Sequence, residues 1–267
     1  MLFDLSRASS VEGSPLARLL DELDIAYLFI DFNRHLLENT AKSLALLGEA
    51  LNATPRVNRM ISLIEQRLAR IDQGLAELEL AENPSEPPRV LINIAPGVKV
   101  DCCRTNLRNG LADLVARAGG KNIADALTPG ASATLSNEWV LSPPPEVVIN
   151  TAGQWAAGDG ISVGLGVSDA EVAQDLRSLS QELPGWQHLD AVQQERFYAL
   201  WHGFHQGPLA IVALERITQW LHPALFSDLD PAATFDALLP TTPVLSREGH
   251  FWGTHPQRSI TLAHSTH

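Results

Sequence analysis

Residues 55–80, PRVNRMISLIEQRLARIDQGLAELEL, constrain the fold of this chain more than any other stretch. Pro55 opens the segment, as proline does in the first turn of a helix. Val57, Met60, Ile61, Ile64, Leu68, Ile71, Leu75 and Leu78 then follow a 3.6-residue period. At 1.5 Å per residue the helix runs roughly 37 Å, longer than an ordinary crossover helix and long enough to span between two lobes. A coiled-coil seam of about three heptads is the competing reading of the same pattern. AENPSEPP at 81–88 then breaks the chain with prolines and acidic residues.

Both flanks alternate helix with strand, which makes the fold α/β. Upstream, SPLARLLDEL (14–23) reads as a helix capped by Ser14 with Pro15 at its first position. IAYLFIDF (25–32) is a continuous apolar run, as expected of a strand covered on both faces, and ENTAKSLALLGEAL (38–51) is a helix ending near Asn52. Downstream, strands are expected at 89–95, 146–152 and 195–201. Helices are expected at 107–118, 137–142, 168–183, 207–222 and about 231–239. Ser136 and Ser168 are the natural caps of two of these.

Composition narrows the function. The 267 residues carry a net charge of −12, which argues against a phosphate-binding surface and hence against a nucleic-acid partner. No apolar run reaches the roughly 20 residues that cross a bilayer. The opening MLFDLSRASSVEGS lacks the basic and apolar regions of a secretory signal, which taken literally implies a cytosolic chain. Cys102 and Cys103, the only cysteines, are adjacent, so they cannot staple distant segments. Two buried or half-buried thiols, a vicinal disulfide and a soft ligand-contacting pair all remain open.

Ligands of open α/β sheets sit beyond the carboxyl ends of the strands. Three stretches fall there: GVKVDCCRT (97–105), TAGQWAAGDG (151–160) and WHGFHQGP (201–208). Arg104 offers a planar fork to a carboxylate. Trp155, Trp201 and Phe204 are suited to stack on a flat organic group, with Cys102, Cys103, Thr105, His202 and His205 beside them. His202, His205 and His222 do not have the HExxH spacing, and no carboxylate accompanies them, so metal ligation by the protein is not expected. His255, His264 and His267 read as part of a disordered tail. A cysteine nucleophile served by His202 is the enzymatic alternative. However, GxSxG, Walker and correctly placed GxGxxG motifs are all absent, and the chain is not expected to be an enzyme.

Several pieces taken in order resemble the periplasmic substrate-binding proteins of iron-complex and vitamin B12 ABC importers. They are DCCRT, ARAGGKNIADAL, LSNEWVLSPPPEVVINTAG, LDAVQQERFYALWHGFHQGP and WLHPALFSDLDP, preceded by LDELDIAYLFIDF and NTAKSLALLGEAL. The resemblance covers nearly all of residues 1–252. It implies two α/β lobes joined by one long rigid helix, with the ligand held in the cleft between them. The implied division is a partial N-terminal lobe at 1–54, the interlobe helix at 55–80 and a C-terminal lobe at 89–222. A returning C-terminal helix at 223–252 and a tail at 253–267 complete it. The family has further N-lobe elements and a leader before the part matched by residue 1, so the N-terminal lobe is expected to be incomplete. The resemblance implies capture of a ferric chelate (a siderophore or haem-like ligand) with no cofactor of the protein's own. It also implies a periplasmic location and delivery to an ABC permease, with Glu138 of the S-x-E-x-V-L motif docking on permease arginines. An aromatic such as tyrosine is expected where His205 stands, so that position departs from the family. Direct metal-ion or corrinoid binding, a Cys-dependent enzyme and a non-transporting remnant are the alternatives.

Overall fold

The computed structural model describes residues 1–32, 36–82, 85–98, 102–107, 109–127, 130, 132–155, 159–239 and 248–255. The predicted long helix is Thr54–Glu79, 26 residues with Pro55 in its first turn. Val57, Ile64 and Ile71 on its apolar stripe are buried, so the stripe serves one protein core. The chain divides into two compact units. The first comprises Met1–Pro88, Asn106–Ala131 and Gly203–Leu245; the second comprises Arg89–Thr105, Ser132–His202 and Ser246–His267. Neither unit is one continuous segment of sequence.

The first unit is organised by the long helix. Helix Leu36–Ala50 packs on it at Gly48, where an added Cβ would stand 3.1 Å from the Val57 Cβ. Asn52, at φ +51°, stops that helix as anticipated. Helices Leu111–Arg117, Ala210–Leu221 and Pro231–Leu238 belong to the same unit. Arg117 bonds Asp72 of the long helix at 2.6 Å, and Arg70 forms a two-pronged pair with Asp228 at 2.7 and 2.9 Å. The Arg70 guanidinium also lies 4.9 Å above the Phe226 ring, and Phe226 packs against the bare backbone of Gly74. His222 is hydrogen-bonded to the Ala118 carbonyl at 3.1 Å, a structural contact that ties the end of Leu111–Arg117 to the end of Ala210–Leu221.

One upstream element differs from expectation. Only Leu28–Ile30 of the apolar run 25–32 is strand, paired in parallel with Leu2–Asp4. Its residues are half-buried rather than covered on both faces. The run is apolar because Phe3, Tyr27 and Phe29 stack edge-on and tilted, with ring centroids 5.8–6.0 Å apart.

The second unit holds a sheet in which strands run in the order Trp252–Thr254, Phe197–Trp201, Val147–Ala152, Arg89–Asn93. The last three are parallel, with Asn93 opposite Asn150 and Ala152 opposite Trp201. Every residue of Val147–Ala152 is buried, as a parallel strand covered on both faces requires. Helix Asp169–Glu182 opens on a reciprocal capping box between Ser168 and Glu171. Strand Phe197–Trp201 starts two residues late because Glu195 has a left-handed backbone at φ +59°.

The expected last helix forms as Pro231–Leu238, but the reading of the residues around 252–255 as helix end and disordered tail is corrected here. Trp252–Thr254 is an antiparallel edge strand on Phe197–Trp201, and His255 is buried rather than disordered. Its backbone N–H donates to the Phe197 carbonyl at 2.8 Å, and its Nε2 lies 3.2 Å from Ser180 Oγ. His264 and His267 lie outside the described residues.

Candidate ligand-binding site

Parallel strands end on the same side of a sheet, so the loops that follow Arg89–Asn93, Val147–Ala152 and Phe197–Trp201 converge. Thr151 ties them together. Its Oγ1 accepts from the Ala95 backbone N–H at 2.8 Å and is hydrogen-bonded to His202 Nδ1 at 3.1 Å. Beneath it, Asn93 Nδ2 donates to Asn150 Oδ1, and Asn150 Nδ2 donates to the Tyr198 carbonyl, both at 3.0 Å. Both asparagines are fully buried, so the ends of three strands are held by side chains as well as by the backbone ladder. Neither Thr151 nor the asparagines emerged as site residues from the sequence. The signal was present in the repeated Ile-Asn that ends both RVLIN and VVIN.

The aromatic groups are built on this base. Trp155 meets His202 edge-on with centroids 5.4 Å apart, and Trp201 meets Phe251 in the same way at 5.4 Å. Trp155, Trp201 and His202 are each half-buried. The Trp155 indole N–H is buried and has no acceptor among the described residues. Gly160, at φ +81°, lets two loops touch: a Cβ there would stand 2.7 Å from the Pro96 carbonyl oxygen and 3.0 Å from Val98. Residues 99–101 and 156–158, within two of the loops singled out from sequence, lie outside the described residues.

The segment Cys102–Thr105 runs beside the same strand end, with Ile94 N–H donating to the Arg104 carbonyl. Alternation along the strand separates its side chains. Cys103 and Thr105 are fully buried, Cys102 is half-buried and Arg104 is exposed. The two cysteine sulfurs are in contact. Arg104 makes no ion pair among the described residues.

Phe204 and His205 belong to the other unit. Phe204 is fully buried and packs edge-on to Phe235 at 5.3 Å, so it offers a ligand no surface, whereas His205 is half-buried. Phe204 is therefore core in place of the expected wall, as Cys103 and Thr105 are.

Glu138 stands exposed in the first turn of helix Asn137–Val140, where a carboxylate favours the helix N-terminus. The platform is fixed: Ser136 Oγ accepts from Trp139 N–H at 3.1 Å. The Asn137 side chain donates to the Pro184 carbonyl at 2.9 Å and accepts from the buried Trp186 indole at 2.6 Å.

Comparison with solved structures identifies the fold. A TroA-like periplasmic binding protein, FepB from Veillonella parvula, superposes with a TM-score of 0.83 at 21% identity, covering 96% of this chain and 72% of that one. The fold is that of the TroA-like periplasmic binding proteins. It is the α/β substrate-binding fold implied by the order of the sequence motifs. The TroA-like fold is shared with a periplasmic heme binding protein from Pseudomonas aeruginosa. That match has a TM-score of 0.62 at 18% identity and covers 97% of this chain and 77% of that one. It is shared too with S. aureus IsdE, solved in complex with heme, at a TM-score of 0.53 and 18% identity, covering 82% and 76%. No protein-family model matches the chain, and no curated protein matches it in sequence. Among the described residues no helix is long and apolar enough to cross a membrane.

Proposed function

We propose that this chain is the solute-binding component of an ABC importer, capturing a ferric chelate of the siderophore or haem type in the periplasm and delivering it to a membrane permease. What supports the reading is a TroA-like fold whose strand-end loops carry the half-buried Trp155 and Trp201, with the exposed Arg104 beside the end of Arg89–Asn93. Arg104 suits the carboxylates of such a ligand through two parallel hydrogen bonds. Trp155 and Trp201 supply flat apolar surface, and the orphaned Trp155 N–H is a donor that a ligand oxygen would satisfy. Neighbours of the same fold are described as heme-binding, and that description is the source of the ligand class. Capture is non-covalent and involves no catalytic step. Glu138, on its fixed platform, presents the loaded protein to arginines of the permease.

A chelate is favoured over a bare ion because neighbours of the same fold are described as binding heme. The two can be separated by equilibrium dialysis with labelled iron, supplied either as a ferric siderophore or as a weakly complexed salt. Retention of the siderophore alone is expected, and alkylating the cysteines should leave it measurable. Retention of the simple salt alone would replace this reading with direct metal binding.

A further inference from the structure

We infer that Thr151 fixes His202 as a neutral imidazole with its proton on Nε2. His202 then meets the ligand as a hydrogen-bond donor and not as a ligand to iron. Thr151 is fully buried on strand Val147–Ala152. Its Oγ1 lies 2.8 Å from the Ala95 backbone nitrogen and 3.1 Å from His202 Nδ1, and among the described residues it has no other partner. The Ala95 N–H can only donate, so it takes one lone pair of the hydroxyl oxygen. The hydroxyl's own proton then needs an acceptor, and His202 Nδ1 is the one within reach. A threonine that donates to Nδ1 requires that nitrogen to be bare. A neutral imidazole with a bare Nδ1 carries its proton on Nε2.

Both other states of the ring fail the same count. In the Nδ1–H tautomer and in the imidazolium, Nδ1–H would donate to Oγ1, and the threonine proton would be buried without an acceptor. Leaving a buried donor unmet costs more than a typical hydrogen bond contributes. The ring is held in orientation as well, because Trp155 meets it edge-on with centroids 5.4 Å apart. Ala95, Thr151, Trp155 and His202 all belong to one compact unit. His202 is half-buried, so part of its ring reaches the surface of the strand-end site.

A histidine that binds a metal through Nε2 ordinarily keeps its proton on Nδ1 and gives it to a carboxylate, a carbonyl or water. Thr151 reverses that arrangement, donating where such an acceptor would stand. With a proton on Nε2 and Nδ1 engaged, neither nitrogen offers iron a lone pair. His202 instead suits an oxygen at the rim of a chelate whose iron is held by the chelate itself. The part that concerns the ligand rests on the proposed function; the tautomer does not.

NMR of the full chain with isotope-labelled histidine, at about pH 7.5 and so above the ordinary histidine value, reads the tautomer, because protonated and bare ring nitrogens resonate far apart. His202→Gln identifies the His202 signals by their loss. A protonated Nε2 and a bare Nδ1 are expected. Thr151→Val keeps the shape and removes the hydroxyl, so it should turn that pattern into a mixture of tautomers, and Thr151→Ser should restore it. The pattern in the natural chain decides even where Thr151→Val does not fold. Haemin and a ferric hydroxamate siderophore then serve as ligand probes. His202→Leu should weaken whichever binds by roughly 10-fold, and His202→Gln, which keeps an N–H donor, should recover most of that loss. The visible spectrum of bound haemin should be the same in the natural chain and in His202→Gln. A proton on Nδ1, an affinity indifferent to His202→Leu, or a haemin spectrum that changes in His202→Gln as it does on loss of an iron ligand would each overturn the inference. Binding of neither probe would overturn the proposed function, and the NMR pattern would still decide the tautomer.

Discussion

Arg104 is the side chain on which the binding account turns. It is flanked by two fully buried neighbours yet itself exposed, and no ion pair engages it among the described residues. Removing it therefore subtracts little from the fold. Arg104→Ala should leave the melting temperature unchanged and weaken an anionic chelate by roughly 10- to 100-fold, the worth of a charge-assisted hydrogen bond. Lysine at this position should recover only part of the loss, because an ammonium cannot reproduce the planar fork. An unchanged affinity in Arg104→Ala would remove Arg104 from the site. The sequence placed these residues in the correct loop but could not set the phase of the short strand. Nothing in DCCRT says which alternate side chains turn inward, so Thr105 was expected at a surface it avoids, and whether Cys103 was buried stayed open. Phe204 eluded sequence reasoning for a related reason: an aromatic at a strand end serves a core or a ligand equally well, and only its contact with Phe235 decides.

At the scale of elements, the long helix is held by contacts whose signs can be tested. Gly→Ala inside a helix ordinarily stabilises by about 1 kcal/mol. At Gly74 a Cβ would stand 2.6 Å from two ring carbons of Phe226, so Gly74→Ala should instead cost about 1–3 kcal/mol, the usual penalty of overpacking. A raised melting temperature in that variant would contradict the packing described. Glu215 gives a second test. It is fully buried on helix Ala210–Leu221, and burial pushes its carboxyl above the ordinary glutamate value. Asp230 adds to that shift, while the Thr234 hydroxyl, Arg67 at 3.4 Å and Arg216 pull the other way without cancelling it. A carboxyl raised in the fold stabilises most while protonated, and that contribution is lost as pH climbs from its unfolded value through its folded one. Glu215→Gln mimics the protonated form. The melting temperature of the natural chain minus that of the variant should therefore fall as pH rises above the ordinary glutamate value of about 4.3. A flat difference would show that Glu215 titrates normally.

Element by element, legibility followed the length of the pattern. Twenty-six residues of 3.6 periodicity give the long helix to within one residue at each end. Ser14, Ser136 and Ser168 cap their helices as expected, because a cap is a local bond. The edge strand Trp252–Thr254 was illegible. Three residues carry no period, and the strand exists only because Phe197–Trp201 offers it an edge some fifty positions upstream.

For the whole molecule, the order of weak motifs carried more information than any one of them. It led to the TroA-like fold that the solved structures share, although no sequence model or curated relative matches. What the motifs could not convey is how the chain partitions. Each compact unit is assembled from three separated segments, a partition that no local stretch of sequence conveys. Helices Leu111–Arg117 and Ala210–Leu221 join the long helix through partners distant in sequence, such as Asp72 with Arg117 and Arg67 with Glu215. Charged pairs of that kind leave no trace in a local window.

The measurement that bears most directly on the central claim is a titration of tryptophan fluorescence with haemin, ferric siderophores and the corresponding free metal salt, run beside a thermal melt. Six tryptophans report, and two of them stand in the proposed site. A ligand that binds only the native state must also raise its melting temperature, by about 2.7 kcal/mol of stability at a hundredfold excess over its dissociation constant. The account predicts saturable quenching by one chelate with matching stabilisation, and no response to the free salt. A cooperative melt with no response to any chelate would contradict it.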